Sequence, residues 1–119
     1  MRQIKFRVWD NGIKEYRTPR GGDYSLGVLS GEVRGIYGEK FPEMIVEQYT
    51  GLKDKNGIEI YEGDIIGRDG FFNRVVQHNG VYFETYSVNN PERLFLLTKH
   101  SVDEYDKVIG NIHQNPELL

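Results

Sequence analysis

Three Asn-Gly pairs, Asn11-Gly12, Asn56-Gly57 and Asn79-Gly80, cut this chain into short arms. Both residues accept positive φ, so such a pair closes a tight hairpin whose twist matches that of the flanking strands. The arms themselves read as strands. In residues 3–9, Ile4, Phe6 and Val8 alternate with Lys5, Arg7 and Trp9, a period of two that marks a half-buried strand. Residues 71–78 and 81–88, "FFNRVVQH" and "VYFETYSV", flank Asn79-Gly80 and are rich in β-branched and aromatic side chains. "MIVEQYT" at 44–50, "IEIY" at 58–61, "IIGRD" at 65–69 and "KVIGNI" at 107–112 read as further strands, and "RLFLLTKH" at 93–100 as a buried one. Ser101 and Glu104 have the spacing of a capping box for one short helical turn. Strands this short, spaced about ten residues apart, predict a mainly β protein with little helix, a sandwich or a small barrel.

The middle of the chain differs. From Thr18 to Pro42 it is dense in glycine, which disfavours a long helix. Short strands and turns are expected there, with a mobile loop near Arg20-Gly21-Gly22. A division follows: 1–43 as an N-terminal hairpin and Gly-rich segment, 44–119 as a C-terminal barrel. The whole length of 119 residues fits one small domain or a barrel with an appended subdomain. Eight Tyr and six Phe let few positions fill a core, because each ring buries a large area.

No run of about 18 apolar residues exists, so no membrane span is expected. The start, "MRQIKFRVWD", carries charges where a secretion signal needs an apolar stretch. There is no cysteine, hence no disulfide, thiolate metal site or cysteine nucleophile. A cytoplasmic protein is the expectation. The net charge of −3 is unevenly spread: residues 1–20 carry six bases against two acids, residues 21–119 nine against sixteen. The basic end suits an acidic partner or an edge strand protected by outward Lys and Arg.

"QYTGLKDKNGIEIYEGDII", residues 48–66, has the glycine density of a phosphate or metal loop. It lacks the chemistry of one. A phosphate-gripping loop needs Lys-Ser/Thr after its last glycine and then a helix, and here a strand follows. The dinucleotide pattern of three close glycines is absent. Asp54-Lys55-Asn56-Gly57 has the wrong acid spacing, and the wrong flanks, for calcium. Two successive turns at a barrel edge explain the stretch better.

His78, His100 and His113 lie on different elements without helical metal-ligand spacing. Ser25, Ser30, Ser87 and Ser101 lack a nucleophile-elbow context. No catalytic residue, metal or cofactor is indicated. The one candidate face for a partner or a nucleic acid is Arg2, Lys5, Arg7 and Trp9 at the N-terminus, where charge and a stacking ring coincide. For Trp9 itself, burial beneath a second layer or the Gly-rich segment is the favoured expectation, since large aromatic side chains are mostly buried.

The block at 48–66, with "IKFRVWD" near the start and "VIGNIHQNPELL" at the end, resembles the YopX family of small phage and prophage proteins. The three blocks stand in family order and span nearly the whole chain, with the weakest match at about 17–43. The resemblance implies a mostly β architecture with a small SH3-like barrel in its C-terminal part, and oligomerisation. It implies no activity. Tyr49, Gly51, Leu52, Gly57, Tyr61, Gly63, Asp64, Gly110, Asn111, Asn115 and Pro116 fall in its motifs. Physically these residues suit turns, barrel closure and C-terminal docking, with Leu118 and Leu119 placed to plug an apolar end.

The function expected is that of a non-enzymatic accessory protein, an oligomeric module that binds a host or phage protein. The alternatives are a nucleic-acid-binding barrel using the basic N-terminal strand, against which the pI of 5.6 weighs, and an acidic inhibitor of a host DNA-binding protein.

Overall fold

The structure, a computed structural model, describes residues 5–17, 24–26, 33–35 and 43–119. Its elements run β1 (Phe6–Asp10), β2 (Glu15–Arg17), β3 (Tyr24–Leu26), β4 (Val33–Gly35), β5 (Met44–Lys53), β6 (Glu59–Tyr61), β7 (Asp64–Gly67), β8 (Arg74–His78), β9 (Phe83–Ser87), β10 (Leu94–Leu96), α1 (Lys99–Glu104) and β11 (Lys107–Asn111). A 3-10 turn, Pro116–Leu118, follows. The protein is mainly β, as its turn spacing predicts. Two compact units form, one over Lys5–Gln48 and one over Tyr49–Leu119, and the division falls within β5.

In the first unit, β1 pairs antiparallel with β2 on one side and with the first half of β5 on the other. Val8, Trp9 and Asp10 are all buried. Trp9 stands opposite Tyr16 in the register, with the two rings edge to face at 4.9 Å. The β1–β2 turn is not the two-residue hairpin that Asn11-Gly12 suggests. Four residues lie between Asp10 and Glu15, and Lys14 takes the positive φ, at 60°. Asp10 is the reason: its Oδ1 accepts from the N–H groups of Gly12 and Ile13, which winds the turn one step further. In the Gly-rich segment, β3 and β4 pair antiparallel with Tyr24 opposite Gly35. The loop expected near Arg20-Gly21-Gly22 lies outside the described residues, as does Arg2.

The second unit is built on a five-stranded antiparallel sheet in the order β10-β9-β8-β7-β11, an order compatible with an SH3-like barrel. Ile60, Ile66, Val76, Phe83, Leu97 and Val102 form its core. Full burial of each such aliphatic side chain contributes about 1.5–3 kcal/mol. The short helix differs in detail from the expected capping box. Thr98, in extended backbone, is the cap, and its side chain accepts from Ser101 N–H at 3.2 Å. Ser101 therefore lies inside the first turn. β10 departs from expectation more. It is an edge strand, and Leu94 and Leu96 are 52 % and 59 % exposed. An apolar run predicts burial only where a neighbour covers it. Leu119, 54 % exposed, plugs nothing.

Candidate functional site

The stretch 48–66 resolves into a bulge and two turns. Gly51 has φ of 86°, and the β5–β6 register slips between Tyr49 and Lys53. A glycine in that conformation is what such a bulge requires. Thr50 Oγ1 steadies it, donating to Ile60 O at 2.8 Å and accepting from Leu52 N–H. The next turn is closed by Gly57, with φ of 81°. Asp54 holds that turn: its Oδ1 accepts from Asn56 and Ile58 N–H at 2.8 and 2.9 Å, while its Oδ2 accepts from Val108 N–H in β11 at 2.8 Å. One buried carboxylate thus ties a hairpin to a strand 54 residues away. In the second turn, Asp64 Oδ2 accepts from Tyr61 N–H, and Gly63 links β8 to the end of β11: its N–H donates to Val76 O, and its carbonyl accepts from the N–H of Ile112, the residue after β11. Tyr49 and Tyr61 face each other across the β5–β6 pair, with ring centroids 5.4 Å apart.

The C-terminal motif is local too. Asn111 Oδ1 accepts from His113 and Gln114 N–H, and Asn115 Oδ1 accepts from Asn111 N–H. A Cβ on Gly110 would lie 2.5 Å from that Asn115 oxygen, so the turn needs glycine there. Pro116 opens the final 3-10 turn.

At the N-terminal face, Trp9 is 2 % exposed and packs on its own hairpin. Lys5 and Arg7 are half-buried. Arg7 Nε donates to Glu47 Oε1 at 2.9 Å, its guanidinium lies 4.6 Å from the Tyr16 ring centroid, and Tyr16 Oη donates to the same Glu47 oxygen at 2.8 Å. Nearby, Arg17 Nε donates to Asp10 Oδ2 at 2.6 Å. That bond, with the two turn N–H groups, holds the Asp10 carboxyl below its ordinary range against the opposing effect of its burial.

The histidines show no shared chemistry. His78 Nδ1 accepts from Gly80 N–H, and His100 stands edge to face with Tyr105. Among the described residues, no group of three or more His, Asp or Glu gathers to hold a metal, and no helix is long and apolar enough to cross a membrane.

A second constellation was missed in the sequence. Asp106, wholly buried after α1, takes two arginines. Its Oδ1 accepts from Arg68 Nε at 2.8 Å and from Arg74 Nη2 at 2.6 Å. Arg74 is itself 3 % exposed, and its Nε has no acceptor. Phenylalanine rings surround the guanidinium groups. Arg74 lies 5.4 and 5.6 Å from the centroids of Phe71 and Phe95, and Arg93 lies 5.3 and 5.4 Å from those of Phe72 and Phe95. The available signal was the charge in "FFNRVV", an arginine set, with Asn73, between two apolar pairs.

The third feature is the β10 edge. Ser87 N–H donates to Arg93 O, and Leu97 N–H to Phe83 O, so the backbone of residues 93, 95 and 97 faces β9. By strand alternation the N–H and C=O of Leu94 and Leu96 face away from the sheet. Beside Leu96 lies a cavity of about 360 Å³, lined by Leu52, Tyr82, Phe83, Leu97 and the Thr50-Gly51 bulge, with Lys99 at its margin.

The YopX protein family model matches residues 5–119. The chain belongs to the YopX family. Protein EF1440 from Enterococcus faecalis, known from a crystal structure, is 27 % identical, with a TM-score of 0.70 over 98 % of each chain. No curated protein matches. The turns just described lie within the family match, and they give its Gly, Asn and Asp positions a structural reason.

Proposed function

We propose that this YopX protein is a non-enzymatic accessory protein of a phage or prophage, working in the bacterial cytoplasm as an oligomeric interaction module that joins copies at the β10 edge. The outward backbone of Leu94 and Leu96, each with an exposed leucine side chain, supports this. Exposed apolar edge strands are templates for another strand, and proteins that remain monomeric guard them with charge or cover. A second copy suits this edge by its own register. Two β10 strands meeting antiparallel about a twofold axis set Leu94 of one opposite Leu96 of the other. Both are residues whose N–H and C=O point outward, so each pair exchanges two hydrogen bonds. The same register brings an apolar side chain beside the cavity at Leu96.

Sedimentation of the purified protein across the micromolar range tests this. The wild type is expected to be a dimer or larger, and Leu96→Lys a folded monomer by circular dichroism. A monomeric wild type, or an oligomer untouched by Leu96→Lys, refutes the assignment.

A further inference from the structure

The Arg74 cluster has more donors than acceptors. Three guanidinium groups, those of Arg68, Arg74 and Arg93, sit over phenylalanine rings, yet one carboxylate, Asp106, serves two of them. Arg93 has no acidic partner among the described residues, and Arg74 Nε is buried without an acceptor. Leaving a buried N–H unmatched is costly, and native structures seldom do so without cause. An oxygen-bearing anion would supply the missing acceptor, and guanidinium binds phosphate and carboxylate best.

The rings narrow the choice. Phe71 is 39 % exposed, and its centroid lies 4.1 Å from that of Phe72. Phe72 in turn lies 5.6 Å from Phe95. Flat aromatic faces among arginines match the stacking platform of single-stranded nucleic acids, where bases lie on rings and phosphates meet guanidinium groups. An acidic peptide would satisfy the arginines and leave the rings unused. A duplex hides its base faces, and the loop carrying Phe71 has no helix to enter a groove.

We infer that Phe71, Phe72 and Phe95, with Arg93 and Arg74, form a site for single-stranded nucleic acid, with a base on Phe71 and a phosphate oxygen on Arg93. The site is separate from the edge-pairing leucines: alternation along β10 sends the Phe95 side chain to the face opposite Leu94 and Leu96. The acidic whole molecule keeps the binding weak, and so few phosphate contacts give it a shallow dependence on salt.

Fluorescence anisotropy of labelled oligothymidylate, titrated with the full protein at low and then at raised salt, is the experiment. Binding at low salt that weakens about threefold for a fourfold rise in salt, as one phosphate contact requires, is expected. Phe71→Ala is expected to weaken it about tenfold, the typical worth of one stacked base, and Arg93→Gln to weaken it and flatten the salt dependence. Both residues are on the surface, so both variants are expected to fold, which circular dichroism checks. Absence of binding at low salt overturns the proposal. So does binding that both variants leave intact, and so does displacement by polyglutamate as readily as by unlabelled oligothymidylate, since that marks a plain anion patch.

Discussion

Asp10 and Asp106 are both buried carboxylates that engage arginine, one in each compact unit, and they do opposite work. Asp10 closes its own hairpin: every partner, from Gly12 to Arg17, lies within seven residues. Asp106 reaches back 38 residues to Arg68 and 32 to Arg74, and so fixes the end of α1 against β7 and β8. A local carboxylate shapes a turn that other forces already favour. A distant one decides whether strands made far apart in the chain share a core. The difference lies in what is stranded on removal. Around Asp10 water reaches the freed groups, whereas around Asp106 a buried arginine would keep its charge with nothing to meet it.

Removing Asp106 should therefore be the harshest test of that contrast. Asp106→Asn is expected to cost about 3–5 kcal/mol, the usual penalty for breaking one side of a buried pair, read by urea unfolding of the full chain. A loss near that of a surface substitution would mean that Arg68 and Arg74 find water, and the contrast would fail. Asp54 is the intermediate case, since one oxygen serves its own turn and the other serves Val108. Asp54→Ala is expected to cost roughly 2 kcal/mol, because it leaves the half-buried Val108 N–H and two turn N–H groups without their acceptor. An effect equal to that of Asp106→Asn would show that hydrogen bonding, and not charge, governs both sites.

The smallest effect is expected at Asp10, through pH. Its folded pKa lies below the ordinary value of 3.8, so the unfolded chain takes up the proton first. The stabilisation is fully present above that value and is lost as pH falls through the folded pKa. Arg17→Gln should flatten this acid-side slope by lowering stability a little at neutral pH, while leaving stability below the folded pKa unchanged. A large loss at neutral pH would make Asp10 the equal of Asp106.

What the sequence revealed follows the same division. The hairpins at Asn56-Gly57 and Asn79-Gly80 were legible because their causes are local: Gly57 and Gly80 both take positive φ, and Asn79 Oδ1 accepts from Val81 and Tyr82 N–H. Asn11-Gly12 was legible as a turn but not in its length, which Asp10 sets from just outside the pair; the Asn79-Gly80 turn is longer than its pair too, with His78 opposite Phe83 and β9 starting at Phe83 rather than at the expected Val81. The β10 strand was legible as a strand, but not as an edge, since "LFLL" does not say which strand lies beside it. Of the Arg74 cluster the sequence shows only the arginine in "FFNRVV", not its partners. Asp106 is one of eighteen acids, and only the fold brings it to the two arginines. Trp9 was expected to be buried, and it is; what covers it, the Tyr16 ring seven residues on, was not legible.

The long reach of Asp106 also bears on how the chain is made. Synthesis delivers Arg68 and Arg74 well before their counter-charge, and β7 gains its β11 neighbour only after residue 107. Until then a nascent chain holds two cations beside an unfinished apolar sheet, a species that favours neither collapse nor rest. Non-local pairings of this kind are closed late and slowly. The second unit is thus expected to fold in one step once β11 has emerged, with the Asp106 pair as the latch rather than the seed.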